Sequence, residues 1–222
     1  FMHNKKRIII ILGRAGSGKG TQSKLLEEKF GFKCIGSGDI LRARFKQKDF
    51  TGNKLDKVLS GGGLAPTAMI FKLWVDELEK IKNNDLAGFI IDGSPRKIFE
   101  AQLMDQALEW YEWDKCLKIF YIDISRKESF SRLTTRKLCG ECGRIIPYIG
   151  EFKKLEKCDK CGGELKVRHD DHPEGIKIRL DLFEEETRPI IDYYKKTDRK
   201  VIDINGEQSI EKVFADILKH LK

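Results

Sequence analysis

The chain has 222 residues, is 40% hydrophobic and carries a formal net charge of +8. That length and apolar share suit one sizeable core with small insertions. No apolar run approaches the roughly 20 residues that span a bilayer, and Ile8–Leu12 is too short for a secretory signal. The basic residues are spread along the whole chain without a block of like charges, which argues against a nucleic-acid-binding arm and leaves small polyphosphates as fitting anions. The expectation is a cytoplasmic protein with reduced cysteines and with neither membrane nor nucleic-acid partners.

Strand signals alternate with helical stretches. Arg7–Leu12 reads as the first strand, and Gln22–Lys29 follows as a helix. Lys33–Ile35 is a short second strand, Phe89–Ile91 a third, Lys118–Ile122 a fourth and Lys200–Ile204 a fifth. All but the second are dense in Ile, Val or Phe, as in parallel strands buried on both faces. The alternation predicts a doubly wound α/β domain whose ligands bind beyond the carboxyl ends of the strands. Gly13, Gly36 and Asp92 fall at those ends.

Two segments interrupt the pattern and read as insertions. Residues 37–66 hold helix-like pieces and end near Gly61-Gly62-Gly63, read as a hinge. Residues 133–171 are rich in Lys, Gly and Cys. The expected division is a core of 1–36, 67–132 and 172–222 with these two insertions. Pro173 opens a long helix to about Lys196, which Pro189 should kink or deprive of regular hydrogen bonding.

Gly13-Arg14-Ala15-Gly16-Ser17-Gly18-Lys19-Gly20-Thr21 lies between the first strand and its helix. Strand, glycine loop and helix in that order make a phosphate cradle: backbone N–H groups turn toward a polyphosphate and the helix N-terminus adds its positive end. Lys19 would reach the β- and γ-phosphates. The strict P-loop places Ser or Thr directly after the lysine, whereas here Gly20 intervenes before Thr21.

Cys139, Cys142, Cys158 and Cys161 form two CxxC pairs at a zinc spacing. Four thiolates fill a tetrahedron and leave no open position, so the expected Zn²⁺ is structural. His169 reads as an ordinary surface histidine, with a substitute ligand as the lesser alternative. Cys34 and Cys116 stand beside apolar residues and read as small buried hydrophobes.

The displaced threonine and an ordered set of further motifs resemble the adenylate kinases and their nucleoside-monophosphate kinase relatives. Gly36-Ser37-Gly38-Asp39-Ile40-Leu41-Arg42 is similar to the family's STGDxLR, and Gly62-Gly63-Leu64-Ala65-Pro66 to the end of its monophosphate-binding segment. Residues 88–96 are similar to GFxxDGFPR. The cysteine-bearing insertion, closing in Arg168-His169-Asp170-Asp171, is similar to the lid of many bacterial members. The resemblance covers nearly everything from Arg7 onward.

The resemblance implies a P-loop kinase with a five-stranded parallel sheet, an NMP-binding insertion and a zinc lid, working as a monomer on ATP, AMP and ADP with Mg²⁺. It implies that Gly13, Gly16, Ser17, Gly18, Lys19, Gly20 and Thr21 hold ATP, with Arg132, Arg136 and, near the adenine, Gly206. AMP would meet Ser37, Gly38, Arg42, Gly93, Arg96, Glu100, Arg168 and Arg179. Asp92 and Asp39 would hold Mg²⁺ through water. Lys19, Asp92 and Arg96, Arg132, Arg136, Arg168 and Arg179 would serve the transfer itself. Phosphoryl transfer has a loose, highly charged transition state, so positioning and neutralising groups suffice. Arg132 and Arg136, four apart, are expected on one helical face.

Four positions depart from the family. Arg14 stands where a small residue is usual, Ser94 where an aromatic is usual, and Ser37 where threonine is usual. Glu100 stands where adenylate kinases usually carry Gln. An ionised Glu only accepts hydrogen bonds, which suits the two donors on a guanine edge better than the N1 lone pair of adenine. Gln102 lies two residues on as a possible compensation. Frame, lid and loop together favour AMP. The rivals are a kinase for GMP, CMP or UMP and, from another class, a nucleotide-regulated zinc-ribbon protein that binds nucleic acid.

Overall fold

The computed structural model describes residues 6–84, 86–147, 150–168, 171–197 and 199–221. Strands β1 (Arg7–Leu12), β2 (Lys33–Gly36), β3 (Gly88–Asp92), β4 (Leu117–Asp123) and β8 (Val201–Asn205) form a parallel sheet in the order β2-β3-β1-β4-β8. Side chains alternate across β1. Ile8 and Ile10 enter one core with Trp74, Leu78 and Met104, while Ile9 and Ile11 enter the other with Leu26, Phe120 and Ile217. All four isoleucines are fully buried, which explains why the strand reads as an unbroken apolar run. Each such side chain stabilises the fold by about 2 kcal/mol.

The helices cover both faces. They are α1 (Lys19–Phe30), α2 (Ser37–Phe45), α3 (Phe50–Ser60), α4 (Thr67–Lys82), α5 (Ile98–Trp110) and α6 (Arg126–Thr135). After a cysteine-bearing segment come α7 (Pro173–Leu182), α8 (Arg188–Lys196) and α9 (Ile210–Lys219). Helix α6 runs through Thr135 with Leu133 fully buried, so the chain leaves the main body slightly later than the sequence suggests. The segment beyond it forms a small antiparallel sheet, β6-β5-β7, from Lys137–Cys139 (β5), Ile145–Ile146 (β6) and Leu165–Lys166 (β7).

The expected long C-terminal helix is divided by a π-helical turn, Phe183–Thr187, between α7 and α8. Pro189 causes this locally: it lacks an N–H and its ring crowds the carbonyl four residues back, so the preceding turn widens. The three consecutive glycines close α3, with Gly61 N–H donating to Lys57 O and Gly63 N–H to Val58 O. Cys34 and Cys116 are half-buried rather than fully enclosed. Among the described residues no helix is long and apolar enough to cross a membrane.

Candidate active site

β1 lies at the centre of the sheet, with β3 on one side and β4 on the other. The connection out of β1 leads to β2 and that out of β3 to β4, on opposite sides, which opens a crevice beyond the carboxyl ends of these two neighbours. The glycine loop fills that crevice. Gly13 has φ of +149°, and a Cβ there would stand 2.4 Å from the Ile122 carbonyl oxygen, so no other residue fits. Gly16, Ser17 and Gly18 continue the turn, and Lys19, Gly20 and Thr21 make the first turn of α1. Gly18 caps that helix without a side-chain partner, which leaves its first N–H groups for an anion.

Lys19 lies across the loop. Its Nζ donates to Gly13 O at 2.8 Å and to Arg14 O at 2.7 Å. Burial lowers its pKa to about 8; Asp92 opposes that shift, while Arg96 and Arg136 reinforce it. Asp92 ends β3 opposite Gly36 of β2, and burial raises its carboxyl against the pull of Lys19 and Arg96. Arg96 is lowered by burial, with Glu100 and Asp92 opposing and Arg179 and Arg42 adding to the effect. Lys19, Arg96 and Arg42 thus act on the Asp92 carboxylate, while Arg136 stands close enough to act on Lys19 and Arg179 on Arg96.

The remaining contacts fix this cluster. Ser37, Gly38, Asp39 and Arg42 share α2, where Arg42 Nη2 donates to Asp39 Oδ1 at 2.6 Å. Ser37 Oγ lies 3.1 Å from the Asp92 carbonyl oxygen and 2.5 Å from Ser94 Oγ, both serines being buried. The hydroxyl pair occupies the place where the aromatic was expected. Gly93 O accepts from Arg96 Nε at 2.7 Å. Glu100 lies in the first turn of α5, and its Oε2 accepts from Arg96 N–H at 2.7 Å.

Arg132 and Arg136 start one turn apart: α6 ends at Thr135, and its cap Arg136 still donates its N–H to Arg132 O at 3.0 Å. Their side chains take different partners. Arg132 donates to Glu128 and, through Nη2, to Gly206 O at 2.9 Å. Gly206 is wedged in the loop after β8, where a Cβ would stand 2.7 Å from both Ile122 and Ile124 side chains. Arg136 instead forks onto Asp171, whose Oδ1 it meets at 2.8 Å. Arg179 of α7 meets the same Oδ1 at 2.6 Å. Arg168 follows β7, and its carbonyl accepts from Asp171 N–H at 2.9 Å.

Asp171 and Arg14 carry more of this architecture than the sequence reveals. Asp171 has a completely buried side chain between two guanidiniums. Its two basic partners lie 35 and 8 residues away, so no local pattern marks it. The Arg14 side chain joins Asp123, Ile124 and Glu184.

The sulfur atoms of Cys139, Cys142, Cys158 and Cys161 all lie within 4.8 Å of one another. Cys139 and Cys161 are 3.5 Å apart, and Cys142 and Cys158 3.7 Å. Zinc bound by four sulfurs at 2.3 Å implies edges of about 3.8 Å. The cluster fits that ion, and none of the four is in a disulfide. His169 lies outside the described residues.

Residues 11–199 match the family described as Adenylate kinase. The adenylate kinase of Methanothrix thermoacetophila is 39% identical over 215 residues, covering 96% of this chain and 97% of its own. That of Carboxydothermus hydrogenoformans is 38% identical over 217 residues, covering 96% and 99%. Methanocella arvoryzae has another, 37% identical over 210 residues, covering 94% and 95%. A parallel sheet with a glycine loop at its switch point, basic side chains gathered above it and full-length likeness to these enzymes agree: the chain belongs to the adenylate kinase family, enzymes that transfer phosphoryl groups to nucleoside monophosphates.

Proposed function

We propose that the enzyme moves the γ-phosphoryl group of MgATP to AMP, giving two ADP, reversibly, while residues 133–171 close over both nucleotides. The observation that carries this reading is the gathering of Lys19, Arg42 and Arg96 around Asp92 beside the glycine loop, with Arg136 and Arg179 held together on Asp171. An AMP phosphate oxygen attacks the γ-phosphorus, the bond to the bridging oxygen breaks, and ADP leaves. Neither step needs a protein nucleophile, so the chain's work is orientation and charge neutralisation.

In this reading Gly13, Gly16, Ser17, Gly18, Gly20 and Thr21 cradle the donor phosphates, and Lys19 follows the transferred group. Gly206 and Arg132 flank the donor base. Ser37, Gly38, Arg42, Gly93 and Arg96 seat AMP within residues 37–66 and the β3 loop, with Glu100 beneath its base. Arg136, Arg168 and Arg179 neutralise the transferring group. Asp171 takes only part of the donor capacity of Arg136 and Arg179, since a guanidinium has five N–H groups. Closure excludes water, so ATP is not hydrolysed.

Mg²⁺ accompanies ATP and spreads phosphate charge. The half-buried Asp92 carboxylate beside Lys19, with Asp39 nearby, suits water-mediated binding of that ion. Zn²⁺ in the cysteine cluster braces the lid as one body. The enzyme is read as a cytoplasmic monomer without nucleic-acid partners.

An ADP-formation assay across AMP, GMP, CMP and UMP tests the assignment, and clear preference for another acceptor overturns it. GMP is the second reading, supported by the buried Glu100 carboxyl. Salt-sensitive DNA or RNA binding without phosphoryl transfer would instead favour the zinc-ribbon alternative.

A further inference from the structure

Arg14 is a loop cation that the phosphate chemistry leaves over. It is the second residue of the glycine loop, yet only 7% exposed. Its Nη1 donates to Asp123 Oδ1 at 3.0 Å and to Ile124 O at 2.8 Å, both at the end of β4. Its Nη2 donates to Glu184, and its guanidinium lies 4.7 Å from the Phe183 ring centre. Tyr121 OH donates to the same Asp123 oxygen at 2.6 Å, which fixes that carboxylate. The backbone of Arg14 faces the phosphate cradle instead. Its carbonyl accepts from Ser17 N–H at 3.1 Å and from Lys19 Nζ at 2.7 Å.

Glu184 and Phe183 belong to the π-helical turn, and such turns recur at functional sites. The same turn reaches the other side of the cleft, where Thr187 Oγ1 donates to Arg96 O at 3.1 Å. One five-residue turn thus touches the donor loop through Arg14 and the acceptor loop through Arg96. A buried ion pair is weak evidence for stability, because desolvation offsets much of its attraction. What a planar fork with several fixed partners does supply is orientation.

We propose that Arg14 is a positioning residue for phosphoryl transfer: its clamped side chain fixes the carbonyl on which Lys19 rests and holds the donor loop at a set distance from the Arg96 loop. This rests on the kinase reading given above. A misplacement of about 1 Å in such a site costs on the order of 100-fold in rate.

The test compares wild type with Arg14→Met, Arg14→Lys, Glu184→Gln and the Arg14→Met/Glu184→Gln pair. kcat and KM for ATP and AMP are measured well below each melting midpoint. Arg14→Met should lower kcat by roughly 10- to 100-fold while both KM values move less than about threefold. Glu184→Gln should move the same way by less, and the pair should be no worse than Arg14→Met because the two act as one unit. Arg14→Lys should not restore the rate, since lysine has no fork. A lowered melting midpoint with kcat within about threefold of wild type in Arg14→Met overturns the proposal. If Arg14→Met does not fold, wild-type kcat in Glu184→Gln overturns it equally. A wild type that phosphorylates no nucleoside monophosphate overturns the kinase reading and this proposal with it, whereas an active wild type with unaffected variants overturns the clamp alone.

Discussion

The carboxylate of Glu100 accepts a 2.7 Å hydrogen bond from the backbone N–H of Arg96. Glu100 is 2% exposed, and burial raises its pKa against the opposing pull of the Arg96 N–H and guanidinium. One oxygen is thereby committed to the chain, and only the other is left for an acceptor base. In Glu100→Gln the amide carbonyl keeps the Arg96 bond and the NH₂ becomes a donor. KM for AMP should fall by roughly 3- to 30-fold and that for GMP should rise, with little change in melting. An unchanged KM for AMP in the coupled assay would place this carboxyl outside the base pocket.

Lys19→Met should cost about 1,000-fold or more in kcat, as removal of a transition-state donor does. It should not lower the melting midpoint at pH 7. Burial already disfavours the ammonium, as its pKa of about 8 records, and methionine has no charge to desolvate. Circular dichroism and steady-state rates on one preparation check both halves.

The same depressed pKa gives a pH signature. With a folded value of about 8, free Lys19 is partly neutral above that pH, while bound polyphosphate favours the ammonium. Binding of ATP should therefore take up about half a proton at pH 8 and almost none at pH 6.5. Titration calorimetry in two buffers of different ionisation enthalpy measures this. Lys19→Met should abolish the uptake at pH 8.

Asp171→Asn should be costly in a way that few surface changes are. Its side chain is wholly buried, and Arg136 and Arg179 keep 13% and 12% exposure beside it. Neutralising it leaves two poorly solvated guanidiniums facing each other, at a cost of about 2–4 kcal/mol. Asp181→Asn is the contrast: its pair with Arg126 is about half exposed on both sides and should matter by less than about 1 kcal/mol. Denaturant titration of both variants decides it.

Cys142→Ser should lower bound zinc and the melting midpoint, because a structural site contributes directly to folding. The parallel sheet has cores separate from the cysteine segment, so far-ultraviolet dichroism at 25 °C should change little. One zinc per chain by mass spectrometry in this variant would refute the four-cysteine assignment.

The sheet was legible because its strands are buried on both faces: Ile8–Leu12 and Phe89–Ile91 have no polar alternation to obscure them. The glycine loop was legible because its backbone needs positions that only glycine fills. The separate partners of Arg132 and Arg136 were not, since a four-residue spacing fixes where two side chains start but not what each one meets. Nor were the side-chain contacts of Arg14, whose acidic partners lie 109 and 170 residues away. Motifs singled out the arginines, and Arg42 and Arg132 have carboxylates within a turn, but the carboxylate that Arg136 and Arg179 share was set by tertiary approach.

The buried Ser37 hydroxyl has one proton and two neighbours that can take it. It donates toward Asp92 O at 3.1 Å and toward Ser94 Oγ at 2.5 Å, so its hydrogen is committed inside the chain. Ser37 is left with a lone pair and no proton to offer. To an arriving molecule it behaves as a filter of fixed polarity, welcoming an N–H or O–H and repelling another lone pair. Both neighbours lie at or just after the end of β3, so the end of a core strand decides what a serine beside the cleft can recognise.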